Sequence, residues 1–281
     1  MGAGFRQWLA ALAVPRPRLK ELSDFSRARS AGRLHSAFAG LHDSVNALFG
    51  WTKAPGTTEE AAARTAWVGA GMDHLGDLLS GLTDLLLHLQ VQGLERRRCQ
   101  QMASWWTERL FSDLILLADV HGLCREVLVS LKQLLAEAQA AVRRHGNAAR
   151  LAATLGQLST GRHHRDLSRL ASTLHVLSHR RPSSSTPAGE AALAEAVTAA
   201  TCAAASGSAA IFVGLASRFC SISSSSALGA LTSLTTASPA EAMERLRSLE
   251  KCAFAAEDGS QQVHRALVNT MKPLLNVLTH S

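Results

Sequence analysis

One segment of the chain, residues 97–146, spaces its apolar side chains with a period that a packed helix requires. The steps alternate between four and three residues at Leu110, Leu114, Leu117, His121, Cys124, Leu128, Leu131, Leu135, Ala138 and Val142. A 4-3 repeat keeps one seam of a helix against its neighbours. Four further residues widen the seam, which favours an intramolecular bundle over a two-stranded coiled coil. They are Phe111, Ile115, Val127 and Leu134.

The rest of the chain is also patterned as helix. Apolar side chains recur at steps of three and four over residues 31–50, about 57–92, 148–179 and from Ser238 onward. Ser238, Pro239 and Glu241 have the spacing of an N-terminal capping box. No segment of useful length alternates with the period of a strand. The prediction is an all-α fold, an elongated multi-helix bundle with long antiparallel helices. We expect bends near Gly122, Gly259 and Pro273.

The chain has 281 residues, a length that one large domain accommodates. We predict a basic, flexible leader over residues 1–30 and a single helical domain over 31–281. Within that domain, the Ser- and Pro-rich residues near 181–188 predict an exposed loop. The five cysteines are odd in number, widely spaced and without a C-x-x-C pair. This usage fits a reducing compartment, so we expect an intracellular protein, in the cytoplasm.

Positive charge is concentrated in residues 143–181, which hold eight arginines, five histidines and a single acidic residue, Asp166. Such a stretch attracts phosphate-bearing partners, although a solvated helix face is the simpler interpretation. The candidate contacts for an anionic partner are Arg162, Arg165, Arg169, Arg180 and Arg181. No nucleic-acid-binding motif accompanies them, and no aromatic residues are interleaved for stacking on bases, which argues against a nucleic-acid partner.

Motifs of enzymes are absent from the sequence, including the phosphate-binding loop, the dinucleotide fingerprint and the metalloprotease helix. We therefore predict no catalytic residue and no cofactor. His163, His164, His175 and His179 form a histidine cluster, but solvated histidines explain it better than a metal site. His121 and Cys124 could suggest a thiolate–imidazole pair, yet both lie on the predicted seam. There a buried cysteine and a satisfied histidine are the expected interpretation.

Arginines 180 and 181 precede Ser183 in a pattern that basophilic kinases recognise, so Ser183 is a candidate phosphorylation site. A second feature is the uncharged, alanine-rich stretch Ala196–Ser217, which is long enough to span a bilayer. Its few strongly apolar residues make insertion marginal, and small residues serve a bundle core equally well. Two alternatives stay open at this point: a core helix, and a membrane anchor flanked by a basic, lipid-binding stretch.

Two segments resemble a known family. The first is similar to the central block of a plant-specific family of unknown function, and it reads WWTERLFSDLILLADVHGLCREVLVSLKQLLAEAQAAVRRHG, at Trp105–Gly146. The second is similar to the closing pattern of the same family, and it reads MKPLLNVLTH, at Met271–His280. That family includes the BYPASS-type proteins. His121 stands where the family commonly has a cysteine. The resemblance spans residues 31–281 and implies a role in root and shoot growth control, and it carries over no catalytic residue.

The leading hypothesis from the sequence is a non-enzymatic helical plant protein that regulates root and shoot development through contacts with other proteins. The alternative is a membrane-associated protein. It would be anchored by residues 196–217 and drawn to an anionic membrane surface by the basic stretch.

Overall fold

A computed structural model of the chain describes residues 21–53, 61–95, 104–144, 154, 161–179, 191–220 and 239–279. These residues form six long helices and no strand. The helices are α1 (Glu21–Lys53), α2 (Ala61–Glu95), α3 (Ser104–Arg143), α4 (Arg162–Ser178), α5 (Ala191–Cys220) and α6 (Pro239–Thr279). The predicted all-α, multi-helix bundle is confirmed. The arginines at 180 and 181, Ser183 and the loop near 181–188 lie outside the described residues.

Helix α3 carries the seam that the sequence predicts. All ten 4-3 positions are buried, from Leu110 to Val142, including His121 and Cys124. Ile115 differs from expectation, because 39% of its surface is exposed and it lies outside the core. The helix continues through Gly122 without interruption, and its 40 residues give a rod of about 60 Å.

Contacts between side chains fix the relative directions of four helices. Along α3, His121, Lys132 and Gln139 meet Ser260, Glu257 and Glu250 in that order, so α3 and α6 are antiparallel. Helices α1 and α2 are also antiparallel, since Leu41 approaches Gly81 and Trp51 approaches Gly71. By contrast, α2 and α6 are parallel: Met72 lies at Gly259, and Thr83 bonds Thr270 at 2.8 Å.

Helix α5 packs against four helices, α1, α2, α3 and α4, and leaves one side exposed at Val213. Its buried apolar side chains include Val197, Ile211, Phe212 and Leu215 together with seven alanines. Small side chains allow neighbouring helix axes to approach closely, and this is why a helix so poor in leucine can pack against four others.

The start of helix α1 differs from expectation, whereas the start of helix α6 agrees with the predicted capping box. Helix α1 begins at Glu21, ten residues before the expected start, and so includes part of the stretch assigned to the leader. Helix α6 begins at Pro239 with Glu241 in its first turn, and it continues through Gly259 and Pro273. Gly259 has a packing role there, because a Cβ atom would lie 2.6 Å from Cγ of Met72. Pro273 is buried inside the helix.

Candidate functional site

The predicted anionic-partner contacts that the structure describes lie on one face of α4. The helix follows Gly161, whose φ of 65° is in the left-handed region that favours glycine. Its buried residues are His163, Leu167, Ala171, Leu174 and Leu177. Since these five occupy the inner face, Arg162, Arg165 and Arg169 are left on the outer, exposed face. We call this outer face, from Arg162 to Thr173, the α4 basic surface.

Within residues 161–179, Asp166 is the acidic residue among the three arginines. Its carboxylate lies 3.9 Å from Nε of Arg162 and 4.0 Å from Nη1 of Arg169. Both distances are at the limit for an ion pair, and the side chains of Arg162 and Arg169 are 80% and 81% exposed. Exposed pairs of this kind contribute little to stability. The three guanidinium groups and one carboxylate leave the α4 basic surface with net positive charge.

An open depression of about 480 Å³ lies along the α4 basic surface. The lining residues are His164, Arg165, Ser168, Arg169, Ser172 and Thr173. All six side chains carry hydrogen-bonding groups, and none carries a carboxylate. The depression thus brings together two of the predicted arginines, one histidine of the cluster and three hydroxyl groups. These hydroxyl-bearing residues were not predicted as contacts from the sequence.

The four clustered histidines have three different environments. His163 is buried against α3, where Nε2 lies 3.2 Å from the hydroxyl oxygen of Ser130, and burial lowers its pKa. His164 lines the depression. The rings of His175 and His179 meet edge to face with centroids 4.2 Å apart. Among the residues that the structure describes, no three His, Cys, Asp or Glu side chains are grouped to hold a metal ion.

A second polar cluster is enclosed in the core, where α3, α5 and α6 meet. His121 is fully buried, with Nδ1 at 3.0 Å from Oγ of Ser260 and Nε2 at 3.0 Å from Oγ of Ser208. The ring of Phe212 packs edge to face against the imidazole at 5.3 Å between centroids. The expectation of a buried histidine with both ring nitrogens hydrogen-bonded is confirmed.

Burial also sets the protonation of this cluster. Desolvation, with a smaller contribution from His264, lowers the pKa of His121 to about 3. Desolvation raises the pKa of the Cys124 thiol to about 12, although a hydrogen bond with Ser260 opposes the change. At neutral pH the histidine is uncharged and the cysteine is a thiol. A nucleophilic pair needs the thiolate form and access to substrate, and this pair has neither.

Sequence reasoning missed Ser208 and Ser260, the partners of His121. Both occupy core positions of their helices and are almost completely buried. A polar residue at a core position of a periodic pattern is a signal that it has a buried partner. However, Ser208 lies 87 residues from His121, and Ser260 lies 139 residues from it. No local pattern connects positions so far apart.

A third missed feature is the pairing of Trp51 with Trp67. The two rings stack with centroids 4.2 Å apart, and Nε1 of Trp51 donates to the carbonyl of Trp67 at 3.1 Å. Trp67 in turn packs against α5 at Gly214, where a Cβ atom would lie 2.7 Å from the ring. Trp106 is buried in the core. Trp51 and Trp67 thus connect helices α1, α2 and α5.

One helix within the described residues is long and apolar enough to cross a membrane by length and composition, at Ala192–Phe219 with a mean hydropathy of 1.6. In the structure, just over half of its most apolar window is buried against the other helices. Val213 is 52% exposed, whereas the adjacent Ile211 and Phe212 are fully buried. Length and composition therefore permit a span, while packing gives the same residues a role in the core.

Comparison with known proteins gives one family. The family model described as Protein BPS1 matches residues 71–241, which include α3, α4 and α5 in full. No curated protein and no solved structure is significantly similar to the chain. The matched range contains the segment Trp105–Gly146, on which the resemblance to BYPASS-type proteins largely rests, and that prediction is confirmed. The chain belongs to the BPS1 family of plant proteins.

Proposed function

We propose that this protein is a non-enzymatic regulator of root and shoot development that acts through contacts with other proteins in the cytoplasm. Membership of the BPS1 family is the observation that carries the developmental role. The proposed surface of contact is the α4 basic surface, which lies inside the matched range and combines net positive charge with an open depression.

The geometry of the buried cluster supports a role without catalysis. His121 and Cys124 are the pair in the sequence closest to a catalytic constellation, and both are enclosed by α5 and α6. The raised pKa of Cys124 keeps the thiol protonated at neutral pH. These residues are better suited to specify how three helices pack, since a fully satisfied buried network favours one arrangement of the core.

The alternative proposal is a membrane-associated protein that uses Ala192–Phe219 as its anchor. The length and mean hydropathy of this helix favour it. Insertion would remove α5 from contact with α1, α2, α3 and α4. Their apolar faces would then be exposed to water, at a cost of about 25 cal/mol per Å². Packing thus favours the first proposal, and extraction of tissue membranes with alkaline carbonate separates the two.

A test of the first proposal uses plants that lack the endogenous protein. Reintroducing the wild-type chain should restore root and shoot growth. The variant R162E/R165E/R169E should not, although it should fold, because these arginines lie on the exposed face of α4. A matched control, R245E/R247E/R265E, reverses three exposed charges on α6 and should restore growth. Equal rescue by both variants would refute the α4 basic surface as the contact, and failure of the wild-type chain would refute the developmental role.

A further inference from the structure

We propose that the depression on the α4 basic surface binds a phosphate group, with the guanidinium groups of Arg165 and Arg169 and the imidazole of His164 as its donors. This inference rests on the proposed function, because it names the chemistry that the same surface recognises. It concerns a site of defined size and lining, and purified protein is sufficient to test it.

The shape of the depression suits a small anionic group. Its six lining residues fall at steps of one and three along α4, from His164 to Thr173, so they form one stripe about 14 Å long. The depression is shallow, with a volume of about 480 Å³, so it offers contact along one side of a bound group and does not enclose it. Because the depression is open, a phosphate group could enter while its remaining oxygens stay hydrated.

The donors favour phosphate over other anions. A guanidinium group has a planar fork of N–H donors that matches two oxygens of a phosphate, and charge-assisted hydrogen bonds of this type are the strong ones. Arg165 and Arg169 are one helical turn apart, so their forks can reach different oxygens of one tetrahedral group. A carboxylate offers only two oxygens and a single negative charge, whereas a phosphomonoester carries close to two at neutral pH.

The hydroxyl groups of the lining have a different role. Ser172 donates to the carbonyl of Ser168 at 2.9 Å, and Thr173 donates to the carbonyl of Arg169 at 3.1 Å. Their protons are therefore committed to the helix backbone. The two arginines therefore carry the recognition of an anion, and the hydroxyl groups of Ser172 and Thr173 serve the helix.

The ion pair between Arg169 and Asp166 would not prevent such binding. Asp166 is not among the lining residues, and its carboxylate reaches Arg169 only at 4.0 Å. The arginine side chain is 81% exposed, so it can reorient at little cost. A phosphate dianion in direct contact would attract this guanidinium group more strongly than a carboxylate at that distance does.

The test is a calorimetric titration of the full chain with inorganic pyrophosphate, at low and at moderate salt. Wild-type protein should bind, and added salt should weaken the binding. The variant R165Q/R169Q should lose affinity by about tenfold or more. The matched control R245Q/R247Q removes two exposed arginines of α6 and should stay within about twofold of wild type. Equal losses in the two variants would overturn the site, because net charge alone would then explain the binding.

A second arm distinguishes two sources of phosphate. The same three proteins are sedimented with phosphatidylcholine vesicles, with and without phosphatidic acid. Binding that requires phosphatidic acid and is lost in R165Q/R169Q supports the site and identifies a lipid headgroup as the source. Binding to pyrophosphate without binding to vesicles supports a soluble phosphate compound. Absence of both overturns the inference, while the growth-rescue experiment still decides the proposed function separately.

Discussion

The hydroxyl oxygen of Ser260 lies 3.0 Å from Nδ1 of His121, and the same hydroxyl donates to the backbone carbonyl of His121 at 3.2 Å. The Cys124 thiol also bonds this hydroxyl, so its one proton has more than one acceptor. When the proton goes to the carbonyl, the Ser260 oxygen accepts from Nδ1–H, and Nε2 accepts from the hydroxyl of Ser208. Both ring nitrogens of His121 then have a partner, which is what a buried, uncharged imidazole requires.

Removing one partner of this network should destabilise the fold. Ser208→Ala leaves Nε2 of His121 without a donor inside the core, and an unsatisfied buried group costs about 1–3 kcal/mol. The free energy of unfolding from urea titrations measures this. Ser217→Ala is the control, because Ser217 is an exposed residue of the same helix whose hydroxyl donates to the carbonyl of Val213. Equal unfolding midpoints for the two variants would contradict the prediction.

Stability should fall on both sides of neutral pH. The pKa of His121 is about 3 in the folded state against an ordinary 6.5, so below pH 6.5 the unfolded chain takes up a proton that the folded chain does not. The free energy of unfolding then decreases as pH falls from 6.5 towards 3, by at most about 1.4 kcal/mol per pH unit from this group.

On the alkaline side, Cys124 titrates near 12 in the folded state against 9.0 ordinarily. The unfolded chain therefore loses this proton first, and stability decreases as pH rises above 9. Urea midpoints across the pH range measure both slopes. The variant His121→Leu should lose part of the slope between pH 5 and 6.5, to which buried His163 also contributes, and Cys124→Ala should lose part of the slope above pH 9. Plots of urea midpoint against pH that run parallel to that of wild type would show that neither residue controls the pH dependence of stability.

A single methyl group should disturb the contact between α1 and α2. A Cβ atom at Gly71 would overlap the ring of Trp51, and forced repacking of a core typically costs about 1–3 kcal/mol. Gly71→Ala should lower the melting temperature in spite of the better helix propensity of alanine. Gly76→Ala on the same helix meets nothing within 4 Å and should stabilise by up to about 1 kcal/mol. Calorimetry of both variants checks the opposite signs.

A charged substitution on the exposed side of α5 tests whether this helix is a core helix or a membrane anchor. Val213 is 52% exposed, so Val213→Glu should change the free energy of unfolding by no more than about 0.5 kcal/mol. Its distribution between soluble and carbonate-resistant fractions should match that of wild type. A charge at the centre of a spanning helix costs about 2.5–3.5 kcal/mol. A shift of the variant out of a membrane fraction that holds the wild type would therefore support the anchor.

Much of the fold could be predicted because its helices are regular and long. The 4-3 spacing from Leu110 to Val142 depends only on neighbours within one turn, and each of those positions is buried. Ile115 was misassigned because a residue at the edge of an apolar stripe faces either a neighbour or solvent. Which of these applies depends on where the adjacent helices lie, and that information is not local.

The candidate site also has features that the sequence predicts and features that depend on tertiary packing. A charge count locates the basic stretch, and the helical period places Arg162, Arg165 and Arg169 on one face, as the structure shows. The depression depends on the depth at which α4 is seated on its neighbours. The pairing of Trp51 with Trp67, like that of His121 with Ser260, depends on registers between different helices. These are set by tertiary packing, which single-helix periodicity does not encode.

Helices α3 and α5 are sensitive to opposite kinds of mutation, because α3 buries leucines and α5 buries alanines. In α3 six buried side chains are leucine, and truncation of one leaves a cavity and costs about 2–5 kcal/mol. In α5 the buried side chains at Ala200, Ala203, Ala204 and Ala205 have almost nothing to lose. Enlargement is the damaging change there, because four surrounding helices would have to move apart. Sequence variation that the chain tolerates should therefore keep these four positions of α5 small and conserve volume in α3.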